Sequence, residues 1–206
     1  KVGNATFNVQ FNPGRIVSSA AKVDAKSLAE RKCFLCAANR PAVQEGLAWE
    51  NYTVLINPFP IFPRHLTIPC NDHTDQLISG RIGDMMSIAA LLPEYILFYN
   101  GPKCGASAPD HMHFQAGNKG FMTFDTDLAK GDKTLVKEVE GAKMEYVKGL
   151  GRVAFVVSAS KKEAGEALFN ELFAALPQKA DETEAMLNIL CWVEGEEWKI
   201  AVFPRK

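Results

Sequence analysis

Two imidazoles and an amide alternate in Asp110-His111-Met112-His113-Phe114-Gln115. In an extended strand, successive side chains point to opposite faces. A strand over 111–116 therefore sets His111, His113 and Gln115 on one surface and turns Met112 and Phe114 toward a core. Neutral imidazole has an unperturbed pKa of about 6.5 and is nucleophilic near neutrality. It can attack phosphorus and form a phosphoramidate, dividing one hard displacement into two easier ones. Gln115 can donate an N–H to a phosphate oxygen without becoming an acid. Upstream lies the Gly/Ser/Pro loop Asn100-Gly101-Pro102-Lys103-Cys104-Gly105-Ala106-Ser107. Its backbone N–H groups, as at Gly105, its Ser107 hydroxyl and Lys103 can cradle a phosphate. Donors fixed there would stabilise charge developing on the phosphate oxygens. The plainer reading of an H-x-H pair is a strand with two surface histidines. The loop before it and the glutamine after it favour chemistry.

Cys33-Phe34-Leu35-Cys36 is a second pattern, since C-x-x-C is a common zinc half-site. A redox pair of this spacing opens a helix after a strand, whereas these cysteines follow a helix-like segment. If one histidine of the pair is the nucleophile, the remaining nitrogen donors come from a total of four His, which include His65 and His73. The alternative is two reduced core cysteines. Cys70, Cys104 and Cys191 take no assigned role.

The His-x-His-x-Gln strand after a Gly/Ser loop resembles the active-site motif of galactose-1-phosphate uridylyltransferase and its relatives in the histidine-triad superfamily. These relatives are the dinucleoside tetraphosphate phosphorylases and the GDP-hexose phosphorylases. The resemblance covers about residues 33 to 117. It implies that His113 is the nucleophile, that Gln115 holds the phosphate of the covalent intermediate, and that Asn100 and Ser107 contact phosphates. It also implies a structural zinc held by Cys33, Cys36, His73 before the long helix, and His111. Asn57 in Asn57-Pro58-Phe59-Pro60-Ile61-Phe62-Pro63-Arg64-His65 matches a ribose-contacting Asn. The acidic residue that follows it in the uridylyltransferase is Pro58 here, which leaves the base open. Phe59 or Phe62 can stack on a base, with ordinary core as the alternative. Arg64 is a candidate for phosphate contact or for tying down a strand end, and His65 is a substrate-side candidate.

The elements that must position these residues follow from pattern. Residues 6–11 alternate as a strand closed by Asn12-Pro13-Gly14. Residues 24–32 form a short helix with Asp24 as N-cap. Residues 52–57 and 61–68 are strands separated by prolines. Residues 74–92 carry a helical stripe of Leu77, Ile78, Ile82, Met85, Met86, Ala89 and Leu92, with Gly80 and Gly83 bending its start. Residues 95–99, 133–139, 144–147 and 153–158 are strands. Residues 161–176 are an amphipathic helix with Ala164, Ala167, Leu168, Leu172 and Leu176 inward. Residues 187–193 and 198–203 form a hairpin around Glu194-Gly195-Glu196. Phe62-Pro63-Arg64 is echoed by Phe203-Pro204-Arg205, which suggests an internal repeat. The expected fold is α+β and histidine-triad-like, a mostly antiparallel sheet with helices on one side. Two related units are expected, residues 1–120 carrying the catalytic strand and the zinc knuckle, and residues 121–206 forming a smaller unit that is possible to read as truncated.

Composition narrows the classes. The chain has 206 residues, 47% hydrophobic, 23% charged, with net charge −1, as in a globular protein with a substantial core. No basic excess points to nucleic acid. The longest apolar run, near Ile88 to Leu92, ends at Pro93, far short of a membrane helix. The opening KVGNATFNVQF lacks a secretory pattern and an initiator Met. The sequons at Asn4 and Asn51 are therefore read as chance matches, and a cytoplasmic location is expected. The expected function is a nucleotidyltransferase or phosphorylase acting on a nucleoside diphosphate sugar or dinucleoside polyphosphate through a nucleotidyl-histidine. The alternatives are a nucleotide hydrolase and a non-catalytic, zinc-stabilised nucleotide-binding protein. A nucleotide or nucleotide sugar is the partner, and pairing into a homodimer is common in the family resembled.

Overall fold

The computed structural model describes residue 7, residues 9–13 and residues 23–206. Its strands are β1 (Gly46–Trp49), β2 (Tyr52–Ile56), β3 (His65–Pro69), β4 (Tyr95–Asn100), β5 (His113–Asn118), β6 (Asp132–Val139), β7 (Ala142–Lys148), β8 (Ala154–Ala159), β9 (Leu187–Glu194) and β10 (Glu197–Pro204). Its α-helices are α1 (Ala25–Glu30), α2 (Ile82–Leu91), α3 (Phe124–Asp127) and α4 (Lys162–Ala175). The ten strands make one sheet in the order β1-β2-β3-β5-β4-β9-β10-β8-β7-β6, antiparallel throughout.

That order reads the same from both edges. Three strands, a helix and two strands follow one another in each half, and the fifth strand inserts between the third and fourth. The halves meet where β4 pairs β9, with Leu97 opposite Cys191 and Asn100 opposite Asn188. The tripeptide echo does not mark this correspondence. Phe62 to Arg64 lie in the connection before β3, whereas Phe203 and Pro204 end β10, the counterpart of β5.

Strand alternation sorts the side chains into two layers. Ile68, Leu97, Tyr99, Phe114 and Ala116 pack with Ile189, Cys191, Ile200 and Val202 beneath α2 and α4. Met112 and Phe114 are fully buried there, as the alternation predicts. On the opposite face, Phe124 and Leu128 cover Val147, Ala154, Val156, Trp192 and Ala201 in the second half. In the first half that face carries Ile96, an aromatic group of Phe62, Phe98 and Phe121, and the polar groups of the site.

Several elements differ from the pattern. Residues 74–81 are not helical, and only Ile82–Leu91 form α2. Gly80 has φ 72°, a left-handed conformation that no helix interior accepts. The Gln76 side chain and the Ile78 N–H are committed to partners elsewhere in the fold. The strand expected at 61 begins at His65, and the one expected at 111 begins at His113. In α4 the buried face is Gly165, Leu168, Phe169 and Leu172, while Ala167 is exposed. A Cβ on Gly165 would lie 2.8 Å from Ala159 Cβ and 2.9 Å from Met86 Cε, so the glycine lets α4 settle against β8 and α2. β1 and α3 were not anticipated. Phe7 and residues 9–11 are not strand. Thr6, Asn8, Gly14 and the sequon at residues 4–6 lie outside the described residues. Asp24 caps α1 as expected, accepting from Ser27 N at 3.0 Å. Among the described residues, no helix is long and apolar enough to cross a membrane.

Candidate active site and metal centre

The site forms where β4 and β5 part. Their register, with Phe98 opposite Gln115, would next set Asn100 against His113. The fully buried Gln76 amide inserts there instead. Its Nε2 donates to the carbonyls of Asn100 (3.1 Å) and His113 (3.0 Å), and its Oε1 accepts from His113 N at 2.7 Å. One side chain thus replaces a rung of the ladder and opens the sheet at the histidine. Behind it, the Tyr99 hydroxyl lies against the Gln76 carbonyl and buried Glu184. Glu184 also accepts from Ile78 N at 2.9 Å. Burial pushes the Glu184 carboxyl above its ordinary range and the Tyr99 hydroxyl well above its own.

Backbone groups fix the histidine tautomers. A carbonyl only accepts, so the 2.8 Å contact of His113 Nδ1 with the His111 carbonyl places a proton on Nδ1 and the lone pair on Nε2. The ring is 4% exposed, and Nε2 is not sealed off. Burial above all pushes its pKa down to about 4. At His65 the argument runs in the opposite sense. Ile61 N–H donates to Nδ1 at 3.0 Å, so Nε2 carries the proton. Nε2 meets Gln115 Oε1 at 3.0 Å. The Gln115 oxygen is thereby occupied, and its NH2 group turns away from His65. Phe62 and Phe98 pack on His65, and Phe121 packs on Phe62.

Cys33, Cys36, His73 and His111 converge, with all four ligand atoms within 4.8 Å of one another. Cys33 Sγ and Cys36 Sγ lie 3.3 and 3.6 Å from His111 Nδ1. His73 Nδ1 is 3.2 Å from Cys36 Sγ and 3.2 Å from His111 Nδ1. Tetrahedral zinc with ordinary Zn–N and Zn–S bonds sets its ligands about 3.3 to 3.8 Å apart. The His111 Nε2 contact with the Cys70 carbonyl, at 2.9 Å, puts the proton on Nε2 and turns the Nδ1 lone pair toward the cysteines, the usual outer-shell arrangement for a metal-bound histidine. The residues present fit a zinc ion.

The loop between β4 and β5 is braced from three sides. Arg31, which follows α1, donates to the Ser107 carbonyl (3.3 Å) and pairs with Asp110 at 2.7 Å. Gln76 N donates to the Pro109 carbonyl at 3.1 Å, and Asn188 Nδ2 donates to the Cys104 carbonyl at 2.8 Å. Gly105 is exposed at φ 98°, a left-handed conformation suited to glycine. Lys103 points away from a phosphate role and pairs with Asp181 at 2.9 Å.

Other candidates lie further along the sheet. Asn57 braces its own turn, donating to Thr67 Oγ1 and accepting from Phe59 N, both at 2.8 Å. Phe59 is 40% exposed, whereas Phe62 is buried over Gly117. Arg64 bonds through its backbone to Asn118, about 17 Å from His113 at roughly 3.4 Å per residue. Its guanidinium pairs with Glu94 and lies over Tyr95. The structure therefore brings together Gln115, Asn100, the loop and the metal cluster around His113, and leaves Arg64 at the far strand end. Sequence pattern points to neither Gln76, which lies within the helical stripe of residues 74–92, nor Asn188. A lone Asn inside the apolar run Leu187-Asn188-Ile189-Leu190 is the signal that could have flagged the latter.

A family model described as "Domain of unknown function (DUF4922)" matches residues 1–118, more than half of the 206-residue chain. The chain belongs to that family. The DUF4922 match ends at the last residue of β5, so it takes in His113, Gln115, the loop and all four metal-cluster residues, but not Asn188. No curated protein matches the chain. Among solved structures, a DUF4931 family protein from Bacillus cereus aligns with TM-score 0.59 and 16% identity, over 78% of this chain and 85% of that one. Yeast Ap4A phosphorylase Apa2 aligns with TM-score 0.51 and 22% identity, over 76% of this chain and 56% of that one. The same yeast enzyme in complex with AMP aligns with TM-score 0.50 and 23% identity, over the same shares. At these identities the likeness concerns the fold, which is α+β with a large antiparallel sheet and few helices.

Proposed function

We propose that this DUF4922 chain is a nucleotidyltransferase or phosphorylase working through a nucleotidyl-histidine at His113. The observation that carries the reading is orientation. With Nδ1–H held by the His111 carbonyl, the Nε2 lone pair stands where the ladder opens, beside the outward NH2 of Gln115 and the braced loop. In the first step Nε2 attacks the α-phosphorus of a nucleoside diphosphate sugar or dinucleoside polyphosphate. The N–P bond forms as the P–O bond to the leaving phosphate breaks, and its electron pair goes to that oxygen. An oxygen of inorganic phosphate or a sugar phosphate then attacks the same phosphorus, and Nε2 recovers its lone pair. The Nδ1–H contact stabilises the positive charge that the ring carries between the steps. Gln115 and Asn100, the Gly105 N–H and the Ser107 hydroxyl are the donors for the phosphate oxygens. Asn57 and Phe59 belong to the base end, and Arg64 is left as a strand-end tie.

Zinc held by Cys33, Cys36, His73 and His111 would supply a structural cross-link beside the catalytic strand. A thiolate pair of this kind suits a reducing compartment such as the cytoplasm. The shared strand order supports treating residues 1–120 and 121–206 as related units, with the chemistry in the first.

The test is incubation with radiolabelled nucleoside diphosphate sugars and dinucleoside polyphosphates. Acid-labile label on the wild type and none on His113→Ala is the expected result. Label on neither, with every donor tried, would sink the covalent reading. Product formed equally well with and without added phosphate would mark a hydrolase instead.

A further inference from the structure

One amide nitrogen on β9 serves two acceptors. Asn188 Nδ2 lies 2.8 Å from the Cys104 carbonyl and 2.8 Å from Asn100 Oδ1. The first contact fixes the sense of the second. A backbone carbonyl only accepts, so the Asn188 atom facing it must be the nitrogen. The same nitrogen faces Asn100, so Asn100 must present its oxygen inward. The Asn100 NH2 group then turns the other way, where no acceptor among the described residues meets it. This is the arrangement that Ile61 and His65 impose on Gln115. Asn100 and Gln115 each have the side-chain oxygen held by a donor whose own sense is fixed by the main chain.

We propose that Asn188 is a positioning residue that locks Asn100 with its N–H groups outward, so that a phosphate at His113 meets amide donors from both β4 and β5. The proposal rests on the nucleotidyl-transfer reading for its purpose, though not for its geometry. A primary amide presents a donor and an acceptor of nearly equal size. Left to rotate, Asn100 would offer its oxygen to the phosphate part of the time, and two oxygens repel. A fixed sense removes that reorganisation from the reaction. The residue type follows as well. Asn supplies two N–H groups from one atom, whereas Ser supplies a single O–H. Asp supplies none, and would reverse Asn100 by accepting from it.

Side-chain amide exchange in the 15N-labelled, nucleotide-free chain tests the lock directly, with resonances assigned by their loss in Asn100→Ala and Asn188→Asp. In the wild type the Asn188 NH2 protons should exchange slowly and those of Asn100 quickly. In Asn188→Asp the Asn100 protons should become protected. A protected Asn100 amide in the wild type overturns the proposal, even if the variant does not fold. Neither readout needs turnover, so failure of the catalytic reading and failure of the lock are separable. The second arm is AMP titration. Asn188→Asp should weaken AMP binding by about 10- to 100-fold, the scale of a hydrogen bond to a charged group. In an Asn100→Ala background that penalty should shrink to a few-fold, the residue of the lost Cys104 contact. Equal penalties in both backgrounds would make Asn188 a structural brace only, and the proposal would fall.

Discussion

β5 and β10 occupy the same place in the two halves of the sheet, yet their open faces have opposite characters. β5 carries His113 and Gln115 there, with Gly117 beyond them under Phe62. β10 carries Lys199, Ala201 and Phe203, and α3 lays Phe124 over this surface, 4.8 Å from the Phe203 ring. One face is held apart by a buried amide and lined with oriented donors. The other is closed by a small apolar core, and its polar end holds paired charges such as Lys199–Glu197 and Lys143–Glu145. The strand order alone therefore does not make a site. What distinguishes the halves is that one face is covered by α3 and its apolar residues, whereas the other sets polar groups of fixed direction beside an aromatic group.

The comparison can be broken most directly at the proposed nucleophile. His113→Ala should lower nucleotidyl labelling by about a thousandfold or more, as removal of a nucleophile does, while thermal unfolding changes far less. Equal loss on changing Lys199 would mean that both faces are catalytic. The filled face should show the reverse. Trp192→Ala opens a cavity beneath Phe124 and should cost about 3–5 kcal/mol of stability, measured by denaturant unfolding, with labelling per folded molecule retained. Gly117→Ala sharpens the contrast on the first face. Its Cβ would fall 2.5 Å from the Phe62 ring, and overpacking should cost about 1–3 kcal/mol. Because Phe62 packs on His65, labelling should fall with stability here, and unchanged labelling would uncouple that aromatic group from Gln115. The smallest effect is expected for Lys143→Ala, whose half-exposed ammonium pairs with Glu145, within about 0.5 kcal/mol for a surface charge and with no change in labelling.

The parts of this design legible in sequence are those written in local periodicity. Alternation over 111–116 put His113 and Gln115 on one face and Phe114 on the other, although the strand itself starts only at His113. C-x-x-C marked two of the four residues that could hold a metal, and the helix over 161–176 was evident from its spacing, if not which of Ala167 and Phe169 faces inward. The rest depends on partners distant in sequence. Residues 74–81 carry a helical stripe, but Gln76 reaches 37 residues along the chain to His113, and that tertiary demand overrides local preference. No pattern in residues 55–65 says that His65 will direct an amide fifty residues away. The helix α3 has only four residues, too few to show a period.

The contact between Asn188 and Asn100 spans 88 positions of chain. During synthesis, with the amino-terminal part emerging first at about 5–20 residues per second, His113 and its loop leave the ribosome several seconds before the strand that orients Asn100. A nascent chain in that interval would hold the proposed nucleophile before Asn100 is aligned beside it. On the proposed reading, competence would come only when β9 docks, so a strand made well after β5 acts as a maturation step for a centre whose other groups were in place long before.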